Sequence, residues 1–160
     1  MEENANEISL YFKKLSNNLE LMERIIYKGN NSFRHLKFFD AFKQTYRQVN
    51  RSFIKSKLEE TAMMALKQLP DDNNQNLHPR SKSKLELFSK KIEELIDIHM
   101  RIKMGPMKRM VKEATMILEV KHHIAFCQVS LGVIGEINKG TSDIINLLKK
   151  YQVTINQVIS

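Results

Sequence analysis

Apolar residues in the first part of the chain recur every three or four positions, which is the spacing of one helix face. The series is Ile8, Phe12, Leu15, Leu19, Met22 and Ile26. The tetrapeptide Lys28-Gly29-Asn30-Asn31 follows, and glycine and asparagine tolerate the backbone angles at which helices end. The pattern therefore predicts a first helix that stops at this tetrapeptide. Asn31 or Ser32 is predicted to cap the next helix.

A second helix is predicted over about residues 33–69, with two faces of opposite character. The apolar face carries Phe38, Phe39, Phe42, Tyr46, Val49 and Phe53. The nearly opposite face carries Lys37, Lys43, Arg47, Arg51 and Lys55, and we call it the cationic face. After Leu58 the apolar positions lose their regular spacing, which predicts either a bend there or contact with a different neighbour. We expect the apolar face to pack inside the protein and the cationic face to meet its partner.

Three more helices are predicted in the second half of the chain. Residues 70–79 are polar and bounded by prolines, which is typical of a loop. The third helix carries Leu85, Phe88, Ile92, Leu95 and Ile102 on one stripe and is predicted to end or kink at Gly105-Pro106. The fourth, over residues 107–137, is apolar on all sides in its second half and is predicted to be central. Gly140 is predicted to stop it, with Thr141 or Ser142 capping a fifth helix.

Glycine and proline are scarce, with five and three in 160 residues. An all-β domain of this length needs many more turn residues. The composition and the periodicity together predict an all-α fold, an irregular bundle of about five helices with a long basic second helix and an apolar central fourth helix. We expect one helical domain over residues 1–160, because its only clear loop is too short to separate two domains.

The remaining composition bears on the cell compartment. A lone cysteine, Cys127, allows no disulfide within the chain and fits a reducing environment. The N-terminus lacks the apolar segment of a secretory signal. The longest nearly apolar run, residues 124–135, falls well short of the roughly 20 residues that span a membrane. We therefore expect a soluble intracellular protein with no membrane partner.

The positive charge of the chain is concentrated in one segment. Residues 24–57 hold nine lysines and arginines and a single acid, Asp40, so this window carries +8, the net charge of the whole chain. Such a surface calls for a polyanionic partner, most commonly nucleic acid. RNA is favoured over duplex DNA because no helix-turn-helix, zinc-finger or basic-zipper pattern is present. A solvated helix face and a docking surface for an acidic protein remain the alternatives.

A smaller basic cluster, Arg80, Lys82 and Lys84, begins the third helix. Positive charge at a helix N-terminus opposes the helix dipole. Contact with phosphate and fraying into water both account for the cluster, and the sequence does not separate them.

No constellation of residues indicates catalysis, a metal or a cofactor. His99 lies within the apolar stripe of the third helix, which favours a hydrogen-bonded core histidine over a general acid or base. His122 and His123 are adjacent and therefore point to different helix faces, unlike an i, i+4 metal pair. No glycine-rich phosphate loop occurs, and Cys127 has the setting of a packing residue. We expect no catalytic residues, no small-molecule substrate, no metal and no cofactor.

One segment resembles a known family. Residues 23–42 read ERIIYKGNNSFRHLKFFDAF, similar to the opening motif of the MRP-specific small subunit of ribonuclease MRP and of the Nepro (nucleolus and neural progenitor protein) family. In that motif an apolar helix leads to a basic, asparagine-rich turn, an aromatic pair and a further basic helix. The matching residues are Lys28, Asn30, Asn31, Arg34, Phe38, Phe39 and Phe42, whereas Ser32 and Phe33 depart from the family's Gln-His. Residues 125–132 resemble a later core helix of the family.

The resemblance implies a noncatalytic, nucleolar subunit of a ribonucleoprotein whose RNA performs the cleavage. Such a subunit would bind MRP-type structured RNA and neighbouring protein subunits in the nucleus, during precursor ribosomal RNA processing. The expected RNA-binding residues are Lys28, Asn30, Asn31, Arg34, Lys37, Lys43, Arg47, Arg51 and Lys55. The asparagines would add side-chain donors to backbone amides at a helix N-terminus, a common phosphate site, or would serve only to cap and turn the chain.

Overall fold

The computed structural model describes residues 2–67, 79–121 and 123–159, and these residues are almost entirely helical, with no β-strand among them. The helices are α1 (Glu2–Phe33), α2 (Lys37–Val49), α3 (Leu58–Leu66), α4 (Pro79–Ile102), α5 (Lys108–Glu119) and α6 (Ile124–Ile159). A π-helical turn, Asn50–Ile54, extends α2, and a second, Lys103–Met107, joins α4 to α5 without a break. The described residues thus form four long helical segments.

The predicted all-α fold is confirmed, and the predicted number of helices is wrong. Four segments replace the expected five because two of the predicted interruptions are helical. They lie at Gly105 and Gly140, and the helical segment continues through both. The interruption between α5 and α6, in contrast, was not predicted, and the residues that turn there are Lys121 and His123, both with positive φ.

The long helices pack around a shared apolar core. α1 runs along α6, α6 also packs on α4, and α2 packs on α5. The predicted apolar faces of the first three helices are buried as expected, with Ile26 and Tyr46 half-buried. The largest fully buried side chains include Phe38, Phe39, Phe42 and Phe53 of the second segment. These phenylalanines fix which face of α2 is left for solvent.

The predicted turn at Lys28-Gly29-Asn30-Asn31 is wrong, because α1 continues to Phe33. Gly29 is buried within the helix, and a Cβ atom built on it would lie 2.8 Å from Phe126 Cζ and 3.1 Å from Phe39 Cε2. This glycine therefore allows close approach of two aromatic rings. The chain turns instead at Arg34 and His35, and α2 begins after Leu36, whose side chain makes no capping hydrogen bond. Neither Asn31 nor Ser32 caps it.

The second predicted helix is divided near its expected bend. Lys57 adopts the left-handed conformation, with φ of 53°, and separates the π turn from α3. A lysine in this conformation stores backbone strain of about 1 kcal/mol or more. The bend is therefore real, and it lies just before Leu58.

The predicted end of the fourth helix and the predicted start of the fifth are both wrong. α5 ends at Glu119, and α6 runs through Gly140 to Ile159. Thr141 does not cap a new helix, since its hydroxyl donates to the Ile137 carbonyl oxygen at 2.9 Å within α6. The part expected to be apolar on all sides is buried on one face only, at Cys127, Ser130, Val133, Ile134 and Ile137. Its other face is exposed and includes Ile124, Val129, Gly132 and Gly135, so the prediction of an enclosed helix is wrong.

Gly105-Pro106, predicted to end or kink the third helix, does not end it, because the π turn Lys103–Met107 carries the segment on into α5. Pro106 has no N–H to donate to the preceding turn, and the backbone widens there into the π turn. The predicted loop 70–79 lies outside the described residues except for Pro79, the first residue of α4. No helix in the described parts of the chain is both long and apolar enough to cross a membrane.

Candidate nucleic-acid interface

The cationic face of α2 lies on the surface. Lys37, Arg47, Arg51 and Lys55 are exposed. None of them forms an ion pair with a carboxylate within residues 2–67, 79–121 and 123–159, where the ion pairs are Lys57 with Glu60 and Arg109 with Asp40. Lys43 differs, because it is half-buried and its Nζ lies 5.1 Å from the centre of the Phe39 ring. Four of the five predicted cations are therefore available to an external anion.

Asp40, the only acid of the basic segment, is occupied by a cation from another helix. Arg109 Nη2 of α5 donates to Asp40 Oδ2 at 3.2 Å and to Gln44 Oε1 at 2.9 Å. Gln44 Nε2 also donates to Asp40 Oδ2 at 3.1 Å. Both charged side chains are about half exposed, at 46% and 52%, so the pair contributes little to stability. Its electrostatic consequence is that Asp40 neutralises Arg109 and leaves the cations of α2 uncompensated.

The predicted turn residues lie at one corner of the protein. Lys28, Asn30 and Asn31 are exposed in the last turns of α1, and Arg34 is exposed in the link to α2. The asparagines therefore sit at a helix C-terminus, and the idea that they accompany free backbone amides at an N-terminus is wrong. Arg34 and Lys37 do flank the start of α2, beside a shallow pocket of about 410 Å³ that Arg109 also lines.

A groove between the second and third helical segments brings further cations to the same surface. Its lining consists of Gln48, Arg51, Ser52, Ile98, Arg101 and Pro106, and its volume is about 480 Å³. We call it the arginine groove. An adjoining depression of about 250 Å³ shares Arg51, Ser52 and Ile98 and adds Lys91 and Glu94. Arg51 of the cationic face thus faces Arg101 of α4 across a cleft lined by hydroxyl and amide groups.

Both π turns border the arginine groove. Arg51 and Ser52 belong to the first and Pro106 to the second. A π turn inserts one residue into a helix and is frequent at functional sites. Lys91 and Arg101 were not predicted to belong to this surface, because the pairing of α2 with α4 is not encoded in the period of either helix. Among the residues that line the arginine groove, only Pro106 had indicated an irregular backbone in the sequence.

One lysine of the second basic cluster has a structural role. Lys82 Nζ donates to the carbonyl oxygen of Ile159 at 2.8 Å, at the C-terminal end of α6. A cation there satisfies a free carbonyl and complements the helix dipole. Arg80 and Lys84 are exposed on the same first turns of α4. Neither explanation predicted for the cluster, contact with phosphate or fraying into water, included this contact.

The titratable core groups are held in their neutral forms. Burial, with the charges of Lys103 and Lys149, lowers the pKa of His99, whose Nε2 lies 3.5 Å from Ser142 Oγ. Its Nδ1 has no hydrogen-bond partner in the described part of the chain. Burial raises the pKa of the Cys127 thiol. These groups lie in the core and do not line the arginine groove. The groove itself offers cationic and neutral hydrogen-bond donors, the groups that bind phosphate.

Comparison with known proteins adds one finding to this geometry. The profile of the family described as "Nucleolus and neural progenitor protein, N-terminal" matches residues 2–153. The chain therefore belongs to that family, which confirms the predicted resemblance to the Nepro family. No curated protein and no solved structure matches the chain.

Proposed function

We propose that this member of the nucleolus and neural progenitor protein family is a noncatalytic, RNA-binding subunit of a ribonuclease MRP-like ribonucleoprotein that acts in precursor ribosomal RNA processing. The family's name supports a nucleolar location. The observation that carries RNA binding is the unpaired charge of the cationic face and its continuation into the arginine groove. Arg47, Arg51 and Lys55 lie one helical turn apart and meet no internal carboxylate among the described residues.

The arginine groove suits a nucleic acid backbone in both chemistry and shape. Arg51 and Arg101 present planar guanidinium groups that bind phosphate through two parallel hydrogen bonds. Ser52 and Gln48 add neutral donors beside them. From Lys37 to Lys55 the cationic face extends roughly 27 Å along the helical rise, long enough to follow several nucleotides. Sequence-independent contacts of this kind position an RNA, and recognition of its shape requires further contacts.

The chemistry of the arginine groove supports a noncatalytic role. His99 is buried and does not line the arginine groove, and burial lowers its pKa. No serine, cysteine or carboxylate of the groove is hydrogen-bonded to a histidine among the described residues. The groove thus offers binding groups without an acid–base pair. We propose that any cleavage is performed by the RNA of the particle.

The test is a salt titration of RNA affinity with the full chain. Fluorescence anisotropy with an MRP-type RNA and with an unrelated structured RNA of the same length gives the affinity at several salt concentrations. If about five phosphates are neutralised, log K falls with log salt with a slope near −4. A flat response would contradict the proposal. Comparison of the two RNAs tests whether the chain distinguishes MRP-type RNA.

The alternative partner of the cationic face is an acidic protein surface, since arginines also act as interface anchors. Photo-crosslinking from residues 28, 34, 47 and 51 in a nuclear extract separates the two. Crosslinks to RNA support the proposal, and crosslinks only to protein assign the cationic face to a neighbouring subunit instead.

A further inference from the structure

A second groove lies between α5 and α6, and its chemistry differs from that of the arginine groove. Its volume is about 430 Å³. The floor is apolar and consists of Met107, Val111, Leu131 and Ile134, of which Met107 and Ile134 are buried and Val111 is 43% exposed. One rim carries Lys103, Lys108 and Lys112, and the lining contains no carboxylate, arginine or aromatic ring. We call this the lysine groove.

The two rims of the lysine groove are unequal. The α5 side supplies all three lysines, spread over roughly 13 Å of helix, whereas the α6 side supplies Gly135 and Asn138. A Cβ atom built on Gly135 meets nothing within 4 Å, so the backbone of α6 is open there. A cationic rim opposite a rim without side-chain bulk admits another helix at close range, with its charged side chains facing the lysines.

We propose that the lysine groove binds an amphipathic helix of a partner protein, one whose apolar stripe covers the groove floor and whose acidic edge faces Lys103, Lys108 and Lys112. Charge complementarity commits the groove to this occupant. Three lysines in a groove whose lining has no carboxylate repel one another, and an acidic helix relieves that repulsion while removing Val111 and Leu131 from water. Docking of a helix face into an apolar groove is a recurrent mode of recognition.

RNA fits the lysine groove less well than a helix does. Single-stranded RNA is held by stacking on aromatic rings and by guanidinium groups, and the lining has neither. Phosphates would contact only the lysines of the rim, because the floor residues Met107, Val111, Leu131 and Ile134 offer no hydrogen-bond donor. The inference is therefore independent of the RNA-binding role and adds a second, protein-directed surface to the molecule.

The test uses two glycines of α6 as a matched pair. Gly132 and Gly135 are both exposed, and a Cβ atom on either meets nothing within 4 Å, but only Gly135 lines the lysine groove. Gly135→Leu fills the groove and Gly132→Leu leaves it open. A displayed library of helical peptides of about 15 residues, long enough to form a helix on binding, is selected on the wild-type chain. The selected peptides are then measured by anisotropy on each variant.

We expect selected peptides to share an apolar stripe flanked by glutamate or aspartate on one edge. Gly135→Leu should weaken their binding at least tenfold, and Gly132→Leu should leave it within twofold. The variant K108Q/K112Q should also weaken binding, and R51Q/R101Q, which removes the same number of charges, should not. Circular dichroism and urea unfolding establish that each variant folds.

Three outcomes would overturn the inference. The first is a selection in which no peptide is enriched, or in which the enriched peptides lack the acidic edge. In the second, the peptides bind Gly135→Leu as well as the wild type. In the third, Gly135→Leu impairs binding of RNA or of a second copy of the chain instead of a peptide. The RNA titration with R51Q/R101Q is separate, so either proposal can fail while the other stands.

Discussion

The corner where α1 meets α2 and the arginine groove lie at opposite ends of the second helical segment and serve opposite purposes. At the corner, Phe126 stacks on Phe33 with ring centres 3.9 Å apart, and Gly29 lies directly against it. In the arginine groove, Arg51 and Arg101 have no carboxylate partner within the described residues. We call the first region the aromatic corner.

The difference separates stability from binding. A residue whose contacts are all internal contributes to folding, and its loss is felt in the free energy of unfolding. A charge without an internal partner contributes little to folding and is available for a ligand. Substitutions in the aromatic corner should therefore change stability and leave the RNA salt slope unchanged, while those in the arginine groove should do the reverse.

The largest effect is expected from Gly29→Ala. The added Cβ would lie 2.8 Å from Phe126 Cζ and 3.1 Å from Phe39 Cε2, so at least one ring must move. Overpacking of this kind costs about 1–3 kcal/mol of unfolding free energy, which urea denaturation measures. Gly132→Ala is the control. It lies in open helix surface and should stabilise the protein by about 0.5–1 kcal/mol.

A double-mutant cycle tests whether the destabilisation by Gly29→Ala comes from the Phe126 ring. In a Phe126→Ala background the Gly29→Ala substitution should be less destabilising by about 1 kcal/mol, since the nearer obstacle is gone. If Gly29→Ala is neutral in the wild type, or costs the same in both backgrounds, the close packing described for the aromatic corner is wrong.

Glycine is a poor guide to helix ends in this chain, because a glycine that ends a helix and a glycine that allows close packing look the same in the sequence. All five glycines lie inside helical segments, and none has a positive φ. The apolar spacing carried the correct information. It continues from Met22 through Ile26 and Gly29 to Phe33, and in α6 from Ile137 through Thr141 to Ile144. The residues with positive φ are Lys57, Lys121 and His123, and no propensity distinguishes those two lysines from the others.

A smaller and more specific effect is expected from R51Q/R101Q. Removing two phosphate contacts should make the slope of log K against log salt shallower by about 1.5–2. Because neither arginine has an internal ion partner in the described residues, the urea midpoint should stay unchanged. The matched control is K108Q/K112Q, which removes two charges from the lysine groove. Equal loss of RNA affinity in both variants would mean that net charge, not the arginine groove, determines binding.

Only those residues of the candidate site that lie on a single helix could be predicted from the sequence. Arg47, Arg51 and Lys55 repeat every four residues, so their common face follows from helix geometry alone. Lys91 and Arg101 join them through the packing of the third segment on the second. Residues of both π turns line the groove between these segments, and only one of the two turns contains a proline that marks it in the sequence. Likewise, Lys82 could be assigned to the end of α6 only once both helix ends were located.

The smallest effect is expected from pH at His99, which lies next to the arginine groove in the chain but belongs to the core. It is 6% exposed, and its ring meets the edge of Phe53 with centres 6.4 Å apart. Burial first, and then Lys103 and Lys149, lower its pKa below the ordinary value of 6.5. As pH falls below that value, the unfolded chain gains a proton that the folded chain does not, so folding loses stability.

The expected loss is at most about 1.4 kcal/mol per pH unit, and it ends once the pH passes below the folded-state pKa. Urea denaturation between pH 7.5 and 5.5 should show a steeper decline for the wild type than for His99→Gln, which retains a polar side chain beside Ser142 but cannot titrate. The RNA salt slope of His99→Gln at pH 7.5 should equal that of the wild type. A slope that changes with this substitution would mean that a core residue beside the arginine groove affects RNA binding. Residues that stabilise the fold and residues that bind RNA would then not be separate sets.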